Sequence, residues 1–474
     1  MIKALQSNSS ILLFIVCVCS RLLTSIYYIE DIDSLRFALS IEKYSLIDFQ
    51  PHFPGYPVFC FIGKILFFIT GNIGVTFSII GGFSVFVIIY YVLRLLKITL
   101  MSRSGIFCFL LIFFNPLIWL MSNRYMPDIL GLAIAIAALY FLLRIDKEGK
   151  NLIIGALLVG LLAGTRLSYL PLLVIPLVYI IIVNHKRIYI VAGFLFGCMV
   201  WLIPLTWITG INDLIMVAEK QTFGHFSDFG GTVITENDWF IRIKSFVRSI
   251  WSDGLGGYWS KRSWVTIILS FSMIYIGYYG VRGMIESVRK EHAWKMILFS
   301  LLMYTIWVFF FQNVIYKSRH ILPILIILLM FFTMGQKNIP NIIRMSGPLI
   351  GIFFVSLIFV TSVLVSQHSK PTAIAKLKDS IINSPDNNTI ISIPLINYYL
   401  RKNGVNANFI NIYRFNQLER DRKTKLNGAM VIGNFNEIFS SEFVISPDTV
   451  LYHNPYVNRM WSEIPIFRLG KHVD

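Results

Sequence analysis

Long apolar runs recur from residue 9 to residue 365, and they limit the possible folds more than any other feature. Ten are clear: 9–27, 73–93, 104–121, 127–143, 167–183, 188–208, 264–281, 295–311, 320–334 and 345–365. A helix rises about 1.5 Å per residue, so about 20 residues cross the hydrocarbon of a bilayer. Inside lipid the backbone must satisfy its own polar groups, which leaves helices as the natural reading of such runs. Composition agrees. Apolar residues make up 56% of the 474 and charged residues 14%, against about 25% charged in an ordinary soluble chain. Too few polar side chains remain to cover a water-facing surface. The expectation is a polytopic α-helical membrane protein.

The formal charge of +17 would suggest nucleic acid in a soluble protein. No compact basic domain or zinc-finger spacing appears, so a nucleic-acid partner is not expected. In a membrane protein, basic residues anchor cytoplasmic loops beside anionic membrane lipids. Five basic clusters mark such loops: Arg94, Lys97 and Arg103; Arg144, Lys147 and Lys150; His185, Lys186 and Arg187; Arg289 and Lys290; Lys337 and Arg344. Placing all five in the cytoplasm requires the shorter, Gly-rich run 151–163 to cross as well, and gives about 11 transmembrane helices (range 11–13). The run 56–70 then makes no full crossing. A twelfth crossing there alone would put the later basic loops outside, and 13 would need a further hidden one. The opening Met1-Ile2-Lys3 precedes an apolar run without a convincing cleavage site, which reads as an uncleaved first span with a cytoplasmic N-terminus. The five cysteines, Cys17, Cys19, Cys60, Cys108 and Cys198, lie in or beside apolar runs and form no paired framework.

This topology defines a membrane domain, 1–365, with outer-face loops 28–72 and 209–263, and a small non-cytoplasmic α/β domain, 366–474. In the second loop Trp239, Phe240, Ile243, Phe246, Val247, Ile250 and Trp251 recur at helical spacing, with Arg242, Lys244 and Arg248 between them. That pattern suits a helix lying in the membrane interface, with core packing of the same stripe as the alternative. In the tail, 389–394, 409–413, 429–432 and 443–445 read as strands, and 396–402 as a short helix ended by Gly404.

The densest polar cluster follows the first span: Glu30, Asp31 and Asp33. Carboxylates at a membrane exit repel one another and are costly to dehydrate. One could take a proton from an acceptor hydroxyl, two could join a divalent cation, or the segment could be a solvated loop. Gln50-Pro51-His52-Phe53-Pro54-Gly55-Tyr56-Pro57 cannot form a regular helix. His52 and Tyr56 could position a substrate there, or the segment could be only a turn. Asp128 follows Pro127 at the start of a span, where a carboxylate is also a helix-capping residue. Arg166 and Arg319-His320 fall at outer boundaries, where arginine either snorkels or clamps a phosphate. By the loop assignment Asp33, Asp128, Arg166 and Arg319 all map to one face. P-loop, dinucleotide and His-Glu-x-x-His motifs are absent.

Residues 10–335 resemble the GT-C superfamily of integral-membrane glycosyltransferases, nearest the dolichyl-phosphate-mannose protein mannosyltransferase and aminoarabinose transferase branch. Asp33-Ser34-Leu35-Arg36-Phe37-Ala38 is similar to its Asp-Glu-x-x-Tyr-Ala pattern, with Ser34 and Phe37 departing from it. His52-Phe53-Pro54 matches a His-Pro-Pro segment loosely, and Phe53 departs. Asp128 matches the second acidic position, and Arg319-His320-Ile321-Leu322-Pro323 the late Arg-Tyr-x-x-Pro segment. The resemblance implies sugar transfer from a polyprenyl-phosphate-linked donor to a lipid, glycan or protein acceptor. It gives Asp33 the general-base role and makes Arg319 the residue that approaches the donor phosphate. Asp31 could supply the charge missing at Ser34. No cofactor is implied, although a divalent cation through Asp31 and Asp33 stays open. A transporter or flippase, or a non-enzymatic assembly subunit for lipid-linked glycans, is the alternative. The transporter would carry inverted repeats and mid-membrane charges, and neither is visible. Composition leans toward a bacterial inner membrane with the active site and tail facing the periplasm. In a eukaryotic lumen Asn387-Asn388-Thr389 would be a glycosylation site.

Overall fold

The computed structural model describes residues 2–144, 149–336, 346–383, 389–417, 426–439 and 443–471. Lys147, Lys337, Arg344, Asn387 and Asn388, singled out above, lie outside them. The chain divides into two compact units, Met1–Ile26 with Arg36–Ser366, and Tyr27–Leu35 with Gln367–Asp474.

The helices run in this order: α1 (Ile2–Leu23), α2 (Ile32–Glu42), α3 (Pro57–Thr70), α4 (Ile73–Leu95), α5 (Arg103–Phe113), α6 (Pro116–Asn123), α7 (Asp128–Leu143), α8 (Lys150–Arg166), α9 (Pro171–Val183) and α10 (Arg187–Thr209). There follow α11 (Ile211–Gly224), α12 (Trp239–Arg248), α13 (Val265–Lys290), α14 (His292–Phe311), α15 (Leu322–Gly335) and α16 (Ser346–His368). Helix occupies each of the eleven expected segments. Seven stretches are long and apolar enough to cross a membrane, and α5 with α6 would add an eighth as one bent span. The α1 stretch Asn8–Leu23, α3, α7 and α9 are apolar but shorter. Helices α9, α3 and α7 have 13, 14 and 16 residues, about 20–24 Å of rise against about 30 Å of hydrocarbon. Among the described residues, length and composition alone mark seven or eight such spans, so the expected count of eleven is not confirmed.

The bend of 55° between α5 and α6 has a local cause. Pro116 opens α6 and disfavours helix at the residue before it, so Asn115 is extended and its side chain caps Ile118 N at 3.1 Å. The break frees carbonyls that lipid could not satisfy. Arg21 Nη2 of α1 donates to Phe113 O at 3.1 Å, and Thr361 Oγ1 of α16 donates to Phe114 O at 2.6 Å. The buried Arg21 also donates to Ser122 Oγ and lies 3.9 Å over the Trp119 ring. Helices α8 and α10 approach through glycine: a Cβ on Gly160 would sit 2.4 Å from Phe194 O, and one on Gly197 2.3 Å from Leu157 O. Such small-residue contacts replace the hydrophobic drive that lipid removes.

Within 209–263 the expected amphipathic helix forms as α12. Trp239, Phe240, Ile243 and Val247 are exposed apolar side chains. Arg242 differs from a polar-face residue: it is fully buried and donates to the carbonyls of Phe309, Gln312 and Gly231 at 2.7, 3.3 and 2.6 Å. It satisfies the C-terminal end of α14, where a cation is favoured.

The second unit contains α17 (Ala373–Ile382), α18 (Pro394–Lys402) and a five-stranded sheet of β1 (Thr389–Ser392), β2 (Asn408–Asn411), β3 (Met430–Ile432), β4 (Phe443–Tyr452) and β5 (Glu463–Lys471), in the order β2-β1-β3-β5-β4. Strands β1, β2 and β3 are parallel, and β5 is antiparallel to β3 and β4. Ile391, Phe415, Val431, Phe443 and Leu469 centre its core. The expected strands and helix are present. Strand β5 and helix α17 are additions, and β4 continues well past 445.

Candidate active site

Asp128 opens α7, and the residue one turn on is Gly131. A Cβ on Gly131 would sit 2.5 Å from Arg166 Cβ, so its bare backbone lets the last residue of α8 lie beside the start of α7. Arg166 Nη2 reaches Asp128 Oδ1 at 2.9 Å. Arg319, in the single turn before α15, places Nε 3.8 Å from the same oxygen. The Tyr169 hydroxyl donates to it at 3.4 Å, shared with Arg319 O at 3.5 Å. Asp128 Oδ2 is buried with no hydrogen-bond partner among the described residues. One carboxylate thus faces two guanidiniums, all three nine-tenths or more buried. A buried charge is retained only with partners, so the group forms a mutually dependent set.

Arg166 extends the set to the proline-rich segment. Its Nη1 donates to Tyr56 Oη at 3.3 Å, and His52 Nε2 pairs with Tyr56 Oη at 3.1 Å. Phe37 packs edge-on against both rings, at 6.0 Å from His52 and 5.0 Å from Tyr56. The guanidinium stands 5.7 Å from the ring centres of Tyr56 and Tyr169, within cation–π range. Arg319 Nη1 meets Met126 Sδ at 3.0 Å. His320 is buried and its carbonyl accepts from Tyr304 at 2.9 Å. Six residues singled out from sequence, His52, Tyr56, Asp128, Arg166, Arg319 and His320, therefore lie in the first unit, five of them in one chain of contacts through Asp128. Tyr169 and Tyr304 were missed. Tyr169 had a signal: it lies three residues after Arg166, about one helical turn on.

Asp31 and Asp33 belong to the second unit. Both are buried, as is Glu30. Asp31 Oδ1 accepts from Ser34 N at 2.9 Å, which makes Asp31 the cap of α2. Its Oδ2 accepts from Asn458 Nδ2 at 3.0 Å. Glu30 Oε1 lies 3.0 Å from His368 Nε2. Asp33 sits in the first turn of α2, where the helix dipole favours a negative charge. Burial, and then the charges of Asp31, Asp379 and Glu30, push the Tyr399 hydroxyl up, so it stays a donor. Among the described residues, no group of three or more His, Cys, Asp and Glu side chains is arranged to hold a metal ion.

No known family matches the sequence, and no curated protein matches it. Solved structures do match the fold. ArnT from Cupriavidus metallidurans bound to undecaprenyl phosphate aligns over 98% of this chain and 97% of its own, with a TM-score of 0.56 and 10% identity. The same protein in its apo state aligns over 97% and 98%, with a TM-score of 0.53 and 10% identity. ArnT is an aminoarabinose transferase and a GT-C enzyme. At this identity the likeness is one of fold, and that fold is the GT-C-like glycosyltransferase fold.

Proposed function

We propose that the protein moves a sugar from a polyprenyl-phosphate-linked donor to a hydroxyl of a lipid, glycan or protein on the non-cytoplasmic face of the membrane. The buried centre of Asp128, Arg166 and Arg319, in a fold shared with a structure that holds undecaprenyl phosphate, carries this reading. Two guanidinium forks suit a phosphate monoanion or diester. Arg319 Nη1 faces a thioether, a weak acceptor that a phosphate oxygen would outcompete. Asp128 fixes the direction of both arginines, and the Tyr56–His52 pair steadies Arg166 from its other edge. His320 and Asp31 are further candidates for substrate contact.

In the proposed step the acceptor oxygen bonds to the anomeric carbon while the carbon–oxygen bond to phosphate breaks. The leaving phosphate keeps the electron pair, and the arginines compensate its growing charge. Asp33 takes the acceptor's proton. A single attack inverts the anomeric centre. The membrane is proposed to be a bacterial inner membrane, with the chemistry on its periplasmic face.

The test is transfer in reconstituted vesicles with native lipid extract and native membrane acceptors, read by mass spectrometry. Wild type should add one hexose or pentose mass to an acceptor, and Arg166→Met and Asp33→Asn should each lose most of that signal. No mass gain with wild type, or equal gain with Arg166→Met, would refute the reading.

A further inference from the structure

The tail has no role in the scheme above, yet its side chains and one of its carbonyls converge on four consecutive residues just before α2. Tyr28 Oη donates to His368 O at 2.7 Å. Tyr399 Oη donates to Ile29 O at 2.6 Å, and Thr372 Oγ1 to Glu30 O at 3.0 Å. His368 Nε2 meets Glu30 Oε1 at 3.0 Å, and Asn458 Nδ2 reaches Asp31 Oδ2 at 3.0 Å and Glu30 Oε1 at 3.4 Å. Donors from 372, 399 and 458, the His368 carbonyl as acceptor and the His368 ring beside Glu30 thus all meet one short segment. Each would leave a buried polar group unsatisfied if the segment moved.

Asn458 is the pivot. Its Oδ1 accepts from Met460 N at 3.0 Å. That bond fixes which way the amide faces, so Nδ2 must point at the carboxylates. Asp31 is then held on both oxygens: Oδ1 caps α2 and Oδ2 takes the Asn458 amide. Asp33 is two residues on, in the first turn of the helix so capped. A rigid turn transmits the position of its cap.

We infer that the C-terminal α/β unit is a positioning module, and that Asn458, with Tyr399 and His368, sets the place of Asp33 by gripping residues 28–31. The inference rests on the proposed role of Asp33, and it gives the tail a function in the same reaction. Asn458 and Tyr399 are positioning residues: their contacts are to the cap, not to reacting atoms.

The test uses the full-length protein in lipid nanodiscs, with Asn458→Leu, Asn458→Asp and Tyr399→Phe. Amide exchange across 28–38 should quicken about ten- to a hundredfold in Asn458→Leu, the loss expected for a hydrogen bond to a charged group. Protection of β1 and β3 should stay as in wild type, which shows that the unit still folds. In the vesicle assay kcat should fall about tenfold or more with KM for the lipid donor unchanged, the mark of a misplaced group rather than lost binding. Asn458→Asp adds a carboxylate beside Glu30 and Asp31, where His368, Tyr399 and, acting on Tyr399, Asp379 are also titratable. It should move the acidic limb of the pH–rate profile upward, because like charge raises a carboxylate's pKa. A fold defect alone would not move that limb. Unchanged exchange in both Asn458→Leu and Tyr399→Phe would overturn the grip. Quickened exchange with unchanged kcat would overturn the positioning. Wild-type turnover in Asp33→Asn would instead overturn the base assignment, whatever the exchange data give.

Discussion

Replacing Asp128 by Asn removes one charge from a set whose other two members stay buried. Asp128 Oδ1 receives Arg166 Nη2 at 2.9 Å, Tyr169 Oη at 3.4 Å and Arg319 Nε at 3.8 Å. The amide can keep its oxygen in that place, so the Tyr169 hydrogen bond survives while both ion pairs lose their charge. Its nitrogen then takes the place of Oδ2, which is buried among groups that offer it no hydrogen bond in the wild type. Breaking a buried pair by neutralising one partner costs about 3–5 kcal/mol, and an added unsatisfied donor about 1–3 kcal/mol. Against a typical stability of about 5–15 kcal/mol, Asp128→Asn should be among the most damaging single-atom changes in the membrane unit.

The protein carries its own reporter. Cys60 and Cys108 are buried free thiols in the same unit, so with the less buried Cys19 and Cys198 replaced by serine a thiol-reactive fluorophore reports heating-induced opening. Asp128→Asn should lower the midpoint by about 5 °C or more. A cycle with Arg166→Gln separates the pair from its surroundings. The double variant should be more stable than the sum of the single losses predicts, by about 2 kcal/mol. Strict additivity, or an unshifted midpoint in Asp128→Asn, would refute the idea that Asp128 holds the guanidiniums.

Arg242→Met should cost about 2–4 kcal/mol by stranding three carbonyls, seen as faster proteolysis within 225–254 while α4 and α8 stay protected. Gly197→Ala should drive α8 and α10 apart, since its Cβ would meet Leu157 O at 2.3 Å; a loss of about 1–3 kcal/mol in the same thermal scan is expected. His225 donates toward Phe311 O at 3.0 Å, and burial, opposed by that bond and then aided by Lys317, lowers its pKa. A depressed folded value means stability that is present above the unfolded pKa of about 6.5 is lost as pH falls below it. The midpoint should therefore drop between pH 7.5 and pH 5 by more in wild type than in His225→Gln.

Much of the fold could be read directly because lipid leaves the backbone few choices. Every apolar run became helix, and Asn115-Pro116 marked the break between α5 and α6. Crossing number was less legible, since α7 beyond Asp128 and α9 are apolar but short, and length is what a charge-based topology does not weigh. In the tail, β5 was hidden by Pro465, which argues against an inner strand. The structure places it between β3 and β4, with Pro465 opposite Val450 and its carbonyl accepting from Gly433 N at 2.9 Å. Likewise β4 runs on through Ser446, Pro447 and Asp448 by absorbing a register shift there.

The site divides along a similar line. His52, Tyr56, Asp128, Arg166 and Arg319 carry chemistry that is visible one residue at a time, as charge or as a proline-bound ring at a membrane boundary. Their meeting depends on Gly131, whose lack of a side chain is a packing fact that no motif states. Asp31 shows the opposite case. As one of three clustered carboxylates it invites a metal or a second base, yet each of its oxygens is committed, one to the backbone of Ser34 and one to Asn458. The partner that fixes its use lies 427 residues away, beyond any local pattern. Acidic residues near a membrane exit are therefore better sorted by the donors they meet than by their spacing: Asp31 meets the Ser34 amide and Asn458, and the helix it caps carries Asp33 in its first turn.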